Sequence, residues 1–156
     1  VTGKPVPSDL YKFIHDDQYD YSILLNGKSV PFEMNEGYAV VNRKWNKNDV
    51  LEINFPMPVR QVKAHELVKD DQGKVSITRG PIVFCAEGTD NKNDVFSLVI
   101  PENVEFNAHY QNDLLGGIMS ISGVAADKSG KKRKLMLIPY YAWSHRGPGE
   151  MAVWLD

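Results

Sequence analysis

Hydrophobic positions along the chain follow short, strand-like patterns. Leu51, Ile53 and Phe55 alternate with Glu52 and Asn54, which is the period-two pattern of a half-buried β-strand. Similar runs recur with turn residues between them at intervals of about 8–12 residues, whereas amphipathic helix patterns are scarce. The pattern therefore predicts an all-β, antiparallel fold of the β-sandwich type, similar to a jelly roll.

Turn residues divide the chain into predicted strands. Asn26-Gly27 predicts a tight hairpin because both residues tolerate positive φ, and Ser129-Gly130-Lys131 predicts a turn between two later strands. Residues 82–86 are apolar throughout, so we expect a strand that is buried on both faces. Residues 1–18 are predicted to form a loop. Further strands are predicted at residues 21–25, from 30 onward, and at 37–45, 50–55, 59–67, 75–77, 96–100, 104–110, 118–125, 135–141 and 151–155.

The most polar and least periodic segment, residues 87–94, is the predicted boundary within the module. A chain of 156 residues suits one domain or two small ones. We therefore expect one β-sandwich module over residues 1–156, with residues 1–88 and 89–156 as its two small parts.

Composition excludes several classes of partner. The formal net charge is −2, which favours neither nucleic acid nor anionic lipid, and no apolar run reaches the roughly 18 residues of a membrane span. A single cysteine cannot form an internal disulfide, so cysteine content is compatible with location in either the periplasm or the cytoplasm. The chain begins with Val1 rather than Met and lacks a leader pattern, which fits a fragment of a longer protein.

Motifs for catalysis are absent or have simpler explanations. Cys85 lies inside the apolar run, where a thiol is poorly ionised and inert. The Asp and Asn residues of segment 90–94 resemble the ligands of a calcium-binding loop. The glycine and distal glutamate of such a loop are absent, so we predict a polar turn. The four histidines form no i, i+4 pair, and neither a nucleophile elbow nor a phosphate-binding loop occurs. We therefore expect no catalytic, cofactor-binding or metal-binding residue in this chain.

Aromatic residues near the C-terminus form the most informative segment. Tyr140, Tyr141, Trp143 and Arg146 lie close together in sequence, and Tyr, Trp and Arg dominate contacts with sugars and with protein partners. Three interpretations stay open, namely core packing of Tyr141 and Trp143 on one strand face, contact with a partner domain, and contact with a sugar. Trp45 is a further candidate for such contacts.

Several short motifs occur in an order that resembles one enzyme family. In chain order they are Val6-Pro-Ser-Asp-Leu-Tyr11, Leu25-Asn-Gly-Lys28, Gly37-Tyr38, Arg43-x-Trp45 with Asp49, Pro56-Met57 with Arg60, Arg79-Gly-Pro-Ile-Val-Phe-Cys-Ala-Glu87, Asp90-Asn91, Ile138-Pro-Tyr-Tyr-Ala-Trp143 with Arg146 and Gly147, and Met151-Ala-Val-Trp-Leu155. Together they resemble the C-terminal region of glycoside hydrolase family 127, the β-L-arabinofuranosidase-like proteins.

The resemblance implies a parent protein with an N-terminal (α/α)6 catalytic barrel followed by β-sandwich domains. It also implies that a zinc-bound cysteine nucleophile and an acidic residue belong to that barrel, so zinc is expected only there and Cys85 does not match the nucleophile. The expected function is a non-catalytic accessory module whose partner is the barrel of the same polypeptide. The alternative is a free-standing carbohydrate-binding module.

Overall fold

The computed structural model describes residues 10–15 and 20–156. Within these ranges the secondary structure consists of antiparallel strands and three single 3-10 turns, the latter at Lys69–Asp71, Val95–Ser97 and Tyr140–Ala142. The strands are β1 (Tyr11–Phe13), β2 (Ser22–Leu25), β3 (Lys28–Ser29), β4 (Glu33–Asn35), β5 (Tyr38–Val40), β6 (Leu51–Asn54), β7 (Val59–Ala64), β8 (Val75–Arg79), β9 (Ile82–Glu87), β10 (Asn107–Gln111), β11 (Ile118–Ala126), β12 (Lys132–Pro139), β13 (Met151–Ala152) and β14 (Trp154–Leu155).

Most strands belong to one nine-stranded sheet, in the order β1-β7-β8-β9-β12-β11-β10 with β13 paired to β9 and β14 to β8. Side chains of this sheet alternate between two apolar clusters, because successive residues of a strand face opposite sides. Phe84 and Ala86 pack with Leu137 in the larger cluster. Cys85 packs with Ile138 in the smaller cluster on the other face. Burial on both faces, predicted for residues 82–86, is found at Phe84, Cys85 and Ala86 but not at Ile82 and Val83.

The C-terminal strands bridge β8 and β9. These two strands pair directly from Arg79–Ile82 to Ile77–Phe84. Beyond that point β8 pairs with β14 and the end of β9 pairs with β13. The last residues of the chain therefore hold together two strands that have separated, and Leu155 is buried there.

The remaining strands form a three-stranded sheet, β3-β2-β6, and the β4–β5 hairpin. Asn26 and Gly27 have φ of 50° and 75°, which confirms the predicted hairpin turn between β2 and β3. The Asn26 side chain also joins this turn to the next strand, because its Oδ1 accepts a hydrogen bond from the Val50 N–H at 2.9 Å.

The fold class predicted from the sequence, an all-β antiparallel sandwich, is confirmed. The predicted strand at residues 96–100 is wrong, since Val95–Ser97 is a 3-10 turn and only Val99 makes a β-bridge. The loop predicted over residues 1–18 is wrong at Tyr11–Phe13, which is β1, and its residues 1–9 and 16–18 lie outside the described ranges.

Strands from both sides of Gly88 are hydrogen-bonded in the same nine-stranded sheet. The division into residues 1–88 and 89–156 stays a prediction. Across the described ranges, no helix has the length and apolar character to cross a membrane.

Candidate interface around residues 140–146

The aromatic segment begins where β12 ends, at Pro139. The predicted continuation of this strand to Tyr141 is wrong, because the chain turns and the Trp143 N–H donates to the Tyr140 carbonyl at 3.1 Å. The turn packs through Ala142, which is 3% exposed and belongs to the smaller apolar cluster with Cys85. The small side chain of Ala142 thus anchors the turn, while the larger side chains of the turn lie outside this cluster.

The three aromatic side chains of this turn are on the surface. Tyr140, Tyr141 and Trp143 are 47%, 63% and 39% exposed, so the interpretation that Tyr141 and Trp143 fill the core is wrong. The rings of Tyr140 and Trp143 stack with their centroids 6.0 Å apart and their planes 21° apart, an offset-stacked arrangement. The stack leaves an exposed aromatic surface next to Tyr141.

Arg146 anchors the end of the segment through two carboxylates. Its Nε donates to Glu87 Oε2 at 3.1 Å, one terminal nitrogen donates to Asp90 Oδ1 at 2.9 Å, and the other terminal nitrogen contacts both carboxylates. The planar guanidinium suits this forked geometry, which a lysine ammonium cannot reproduce. The two acids raise the pKa of Arg146, with the Asp90 hydrogen bond as the largest cause.

Glu87 is the buried centre of this cluster. Its side chain is only 4% exposed, compared with 18% for Arg146 and 12% for Asp90. Its second oxygen accepts a hydrogen bond from the Ser144 N–H at 2.9 Å. Because a buried carboxylate needs such partners, Glu87 fixes the path of the chain between Ala142 and Arg146.

Asn91 connects the same loop to the large sheet. This side chain is 2% exposed. Its Nδ2 donates to the carbonyls of Glu87 and Met136 at 2.8 and 2.9 Å, and its Oδ1 accepts from the Met136 N–H at 3.1 Å. The segment predicted as a polar turn is therefore held on one side by β12 and on the other by Arg146.

Cys85 has the properties of a structural residue. Its side chain is fully buried, and burial, with the nearby negative charge of Glu87, raises the pKa of the thiol to about 12. A thiolate is the form that attacks a substrate or binds zinc. This environment therefore fits neither a nucleophile nor a zinc ligand.

The described part of the chain contains no group of three His, Cys, Asp or Glu side chains that could hold a metal ion. Asp90 instead binds Arg146, and Asp94 forms an ion pair with Arg133 at 2.9 Å. That zinc belongs only to a separate catalytic domain stays a prediction.

The structure does not link Trp45 to the aromatic segment by any described contact. Trp45 is 49% exposed and lies beside Arg43, whose guanidinium carbon is 5.5 Å from the ring centroid. The roles predicted for Trp45, Tyr140, Tyr141, Trp143 and Arg146 at an interface or beside a sugar stay predictions.

Sequence reasoning missed the partners of Arg146. Glu87, Asp90 and Asn91 lie in a polar, aperiodic stretch, and Arg146 follows Glu87 by 59 positions. One signal was present in the sequence, since Glu87 directly continues a fully apolar run. A charged residue at the end of a buried strand needs a partner of opposite charge.

The part of this chain that matches a known protein family begins at a strand of the large sheet. The family model of the glycoside hydrolase family 127 C-terminal domain matches residues 59–156, more than half of the chain. The chain belongs to glycoside hydrolase family 127. The match begins at Val59, the first residue of β7, and so this family 127 domain contains every strand of the large sheet except β1.

Several relatives of this family 127 chain are named as arabinofuranosidases. It is 34% identical to a non-reducing end β-L-arabinofuranosidase of Bifidobacterium longum over 85% of this chain. A solved family 127 β-arabinofuranosidase is 42% identical over 97% of this chain, with a TM-score of 0.86. A β-L-arabinofuranosidase structure from Geobacillus stearothermophilus is 37% identical over 88%, with a TM-score of 0.80.

The chain spans about a quarter of the length of these relatives, since the aligned part is 23%, 25% and 24% of each. The resemblance deduced from the ordered motifs is therefore confirmed, since residues 59–156 match the family 127 C-terminal domain.

Proposed function

We propose that this chain is a non-catalytic accessory β-sandwich module of a glycoside hydrolase similar to β-L-arabinofuranosidases. In this proposal it packs against an (α/α)6 catalytic barrel of the same polypeptide and stabilises it. The observation that carries the proposal is the match to a C-terminal family domain in enzymes about four times as long as this chain.

The chemistry of the described residues supports a non-catalytic role. The one thiol is buried and protonated at neutral pH, and Glu87 and Asp90 are both committed to Arg146. Most retaining glycosidases use two carboxyl groups about 5–5.5 Å apart that are free to reach a sugar. The mechanism that the family resemblance implies needs an ionised cysteine nucleophile with an acidic residue. Carboxylates held in a forked ion pair are poorly suited to donate or accept a proton there.

The aromatic turn supports contact with a partner domain. Tyr140, Tyr141 and Trp143 expose large apolar rings, while Ala142 and the Arg146 cluster hold the turn in one conformation. Rigid aromatic side chains on an ordered segment lose little conformational entropy when a partner binds. The turn therefore has the composition and the order of an interdomain contact.

The full-length enzyme tests this proposal with two matched substitutions. Tyr141→Glu introduces a charge into the aromatic turn, and Tyr110→Glu introduces the same charge on edge strand β10, where the tyrosine is 61% exposed compared with 63% for Tyr141. We expect Tyr141→Glu to lower both the melting temperature and the arabinofuranosidase activity, and Tyr110→Glu to change neither. Equal effects of the two substitutions, or none, would contradict the role of the turn.

An assay of the purified chain on β-L-arabinofuranosides, with and without zinc, tests the non-catalytic part of the proposal. We expect no turnover above the background rate. Measurable hydrolysis that follows the chain through purification would overturn this part.

A free-standing carbohydrate-binding module is a second candidate, favoured by the exposed stack of Tyr140 and Trp143. The outer face of such a stack can pack against the apolar face of a sugar ring. The offset stacking presents one ring at a time rather than a coplanar platform, which makes this candidate secondary. Calorimetric titration of the chain with arabinose-containing oligosaccharides tests it, and heats identical to those of a Tyr140→Ala variant would reject it.

A further inference from the structure

Strands β10, β11 and β12 have one apolar face and one face that is mainly polar. Ile121 and Leu135 belong to the larger apolar cluster. Ser122 alternates with Ile121 and therefore lies on the other face, where it is opposite Asn107 on β10 and Met136 on β12. We call this second face, outside the smaller apolar cluster, the polar face; its residues are Asn107, His109, Ser122, Val124, Lys132 and Lys134.

The polar face is open to solvent near the turn between β11 and β12. At the other end of these strands, the smaller apolar cluster covers the same side of the sheet through Ile118, Met136 and Ile138. Towards the turn, Val124 is 49% exposed, and the lysines of β12 on this side are exposed. The open end of the face is therefore accessible to a ligand in this chain.

Positive charge is concentrated at the open end. Five of the seven residues 128–134 are Lys or Arg, although the whole chain has a net charge of −2. The ion pairs of the described residues include none with Lys131, Lys132 or Lys134. These three ammonium groups therefore have no carboxylate partner in the described part of the chain.

The other two cations of this run do have partners. Arg133 points to the opposite face of β12 and pairs with Asp94 at 2.9 Å. Lys128 lies 3.9 Å from Asp156. The unpaired charge is thus confined to the turn and to the polar face.

The spacing of the lysines on β12 favours an anion between them. Lys132 and Lys134 lie two positions apart on one face, which places their backbones about 7 Å apart. This is less than the screening length of about 8 Å at physiological ionic strength, so the two charges repel each other. A carboxylate bound beside both ammonium groups would remove this repulsion.

The neighbouring side chains suit the neutral part of a sugar. Asn107 and Ser122 lie directly opposite each other and supply hydrogen-bond donors and acceptors. Val124 lies directly opposite Lys134 and provides a small apolar contact. The six residues of the polar face include no Phe, Tyr or Trp, the side chains on which nucleic acid bases stack.

We propose that the polar face binds an acidic polysaccharide through its uronate residues. The carboxylates bind to Lys132 and Lys134, and hydroxyl groups of adjacent sugar rings bond to Asn107 and Ser122. Val124 packs against the apolar side of a ring. This inference rests on the proposed function only in taking the ligand to be a carbohydrate, and it concerns a different surface from the aromatic turn.

Calorimetric titration of the full-length enzyme with a galacturonate trimer tests the proposal, and the methyl ester of the same trimer is the matched uncharged control. We expect the ester to bind at least about tenfold more weakly than the free acid. We also expect added sodium chloride to weaken binding of the free acid, because salt screens exposed charges. Equal affinities for the acid and the ester, or no binding of the acid, would overturn the proposal.

Two lysine pairs identify the surface. Lys132→Gln with Lys134→Gln removes the charges of the polar face, and Lys44→Gln with Lys47→Gln removes two exposed charges from the loop before β6. We expect the first pair to weaken binding of the trimer about tenfold and the second to leave it unchanged. Equal losses would contradict a specific site. If the first pair lowers the melting temperature, Lys134→Gln alone provides the measurement, and unchanged binding by that variant would contradict the role of Lys134.

Other polyanions provide the final comparison. Duplex DNA and phosphatidylserine vesicles are titrated at the same ionic strength, and we expect both to bind more weakly than the trimer. Tighter binding of either would overturn the proposal in favour of that class of partner. Binding of the trimer together with unchanged melting and activity of the Tyr141→Glu enzyme would support this inference while contradicting the proposed function. The opposite pair of results would do the reverse, so the two are tested separately.

Discussion

Strands β12 and β6 both carry branched apolar residues two positions apart, but the burial of these residues is opposite. In β12, Leu135 and Leu137 are fully buried, whereas in β6 Leu51 and Ile53 are 41% and 47% exposed. Strand β12 lies between β9 and β11, and β6 lies beside β2 alone. Apolar residues two positions apart therefore share one face of a strand, while the neighbouring elements determine whether that face is buried.

The largest expected effect tests this comparison directly. Leu137→Ala removes a fully buried side chain from the larger apolar cluster, so we expect a loss of about 3 kcal/mol in the free energy of unfolding. Leu51→Ala makes the same chemical change on the exposed strand and is expected to cost less than about 1 kcal/mol in this chain. Urea denaturation of both variants measures the difference, and equal losses would show that β6 is as well packed as β12.

In the full-length enzyme the same pair sharpens the comparison. If another part of that enzyme covers β6, the cost of Leu51→Ala should rise toward that of Leu137→Ala, because the leucine becomes buried. An unchanged cost would mean that the apolar face of β6 stays exposed there.

The next comparison is between two ion pairs, one beside the large sheet and one beside the three-stranded sheet. Arg146→Ala leaves Glu87, which is 4% exposed, without its charged partner, and we expect a loss of about 2–3 kcal/mol because a buried charge is left uncompensated. Arg43 is 31% exposed and lies 3.8 Å from Asp49, which also accepts hydrogen bonds from Asn26 and Asn46. Because Asp49 keeps these partners, Arg43→Ala is expected to cost less than about 1 kcal/mol.

Chemical denaturation at neutral pH checks both values. Arg146→Lys serves as a control for charge, and we expect it to restore only part of the lost stability, since lysine cannot make the forked contact. Full restoration by lysine would mean that charge alone, rather than geometry, holds the loop.

Local features of this fold were predictable from sequence, and contacts between distant segments were not. The Asn26-Gly27 hairpin and the buried run before Glu87 follow from backbone preferences and hydrophobicity over a few residues. The strand predicted at residues 96–100 failed because Val95 and Leu98 are buried through a turn rather than by alternation. An apolar run is ambiguous when its partner surface is unknown.

The candidate interface shows the same limit of local information. Its aromatic residues were identified, but their exposure depends on a turn after Pro139 that buries Ala142 instead. The partners of Arg146 lie 56 and 59 positions away, and single-sequence patterns contain no information about such pairings.

Two aspartates in turns provide the smallest expected effect. In the turn between β11 and β12, Asp127 Oδ1 accepts hydrogen bonds from the Ser129 hydroxyl and from the Ser129 and Lys131 N–H groups, at 2.6, 3.0 and 3.0 Å. The Ser129 hydrogen bond is the largest cause that lowers the pKa of Asp127. In the turn that precedes β6, the hydrogen bonds from the Asn46 N–H and then from the Asn26 side chain lower the pKa of Asp49 in the same way.

A pKa that is lower in the folded protein than in the unfolded chain contributes stability above the ordinary value of 3.8, and this contribution is lost as the pH falls through the folded pKa. Asp127→Asn is therefore expected to flatten the decline of the main unfolding midpoint between about pH 5 and pH 3. Asp49 stabilises a region with one exposed apolar strand, so Asp49→Asn should instead alter the pH dependence of amide exchange within residues 22–54. If Asp49→Asn shifts the main midpoint as much as Asp127→Asn, the small sheet and the large sheet unfold as one cooperative unit.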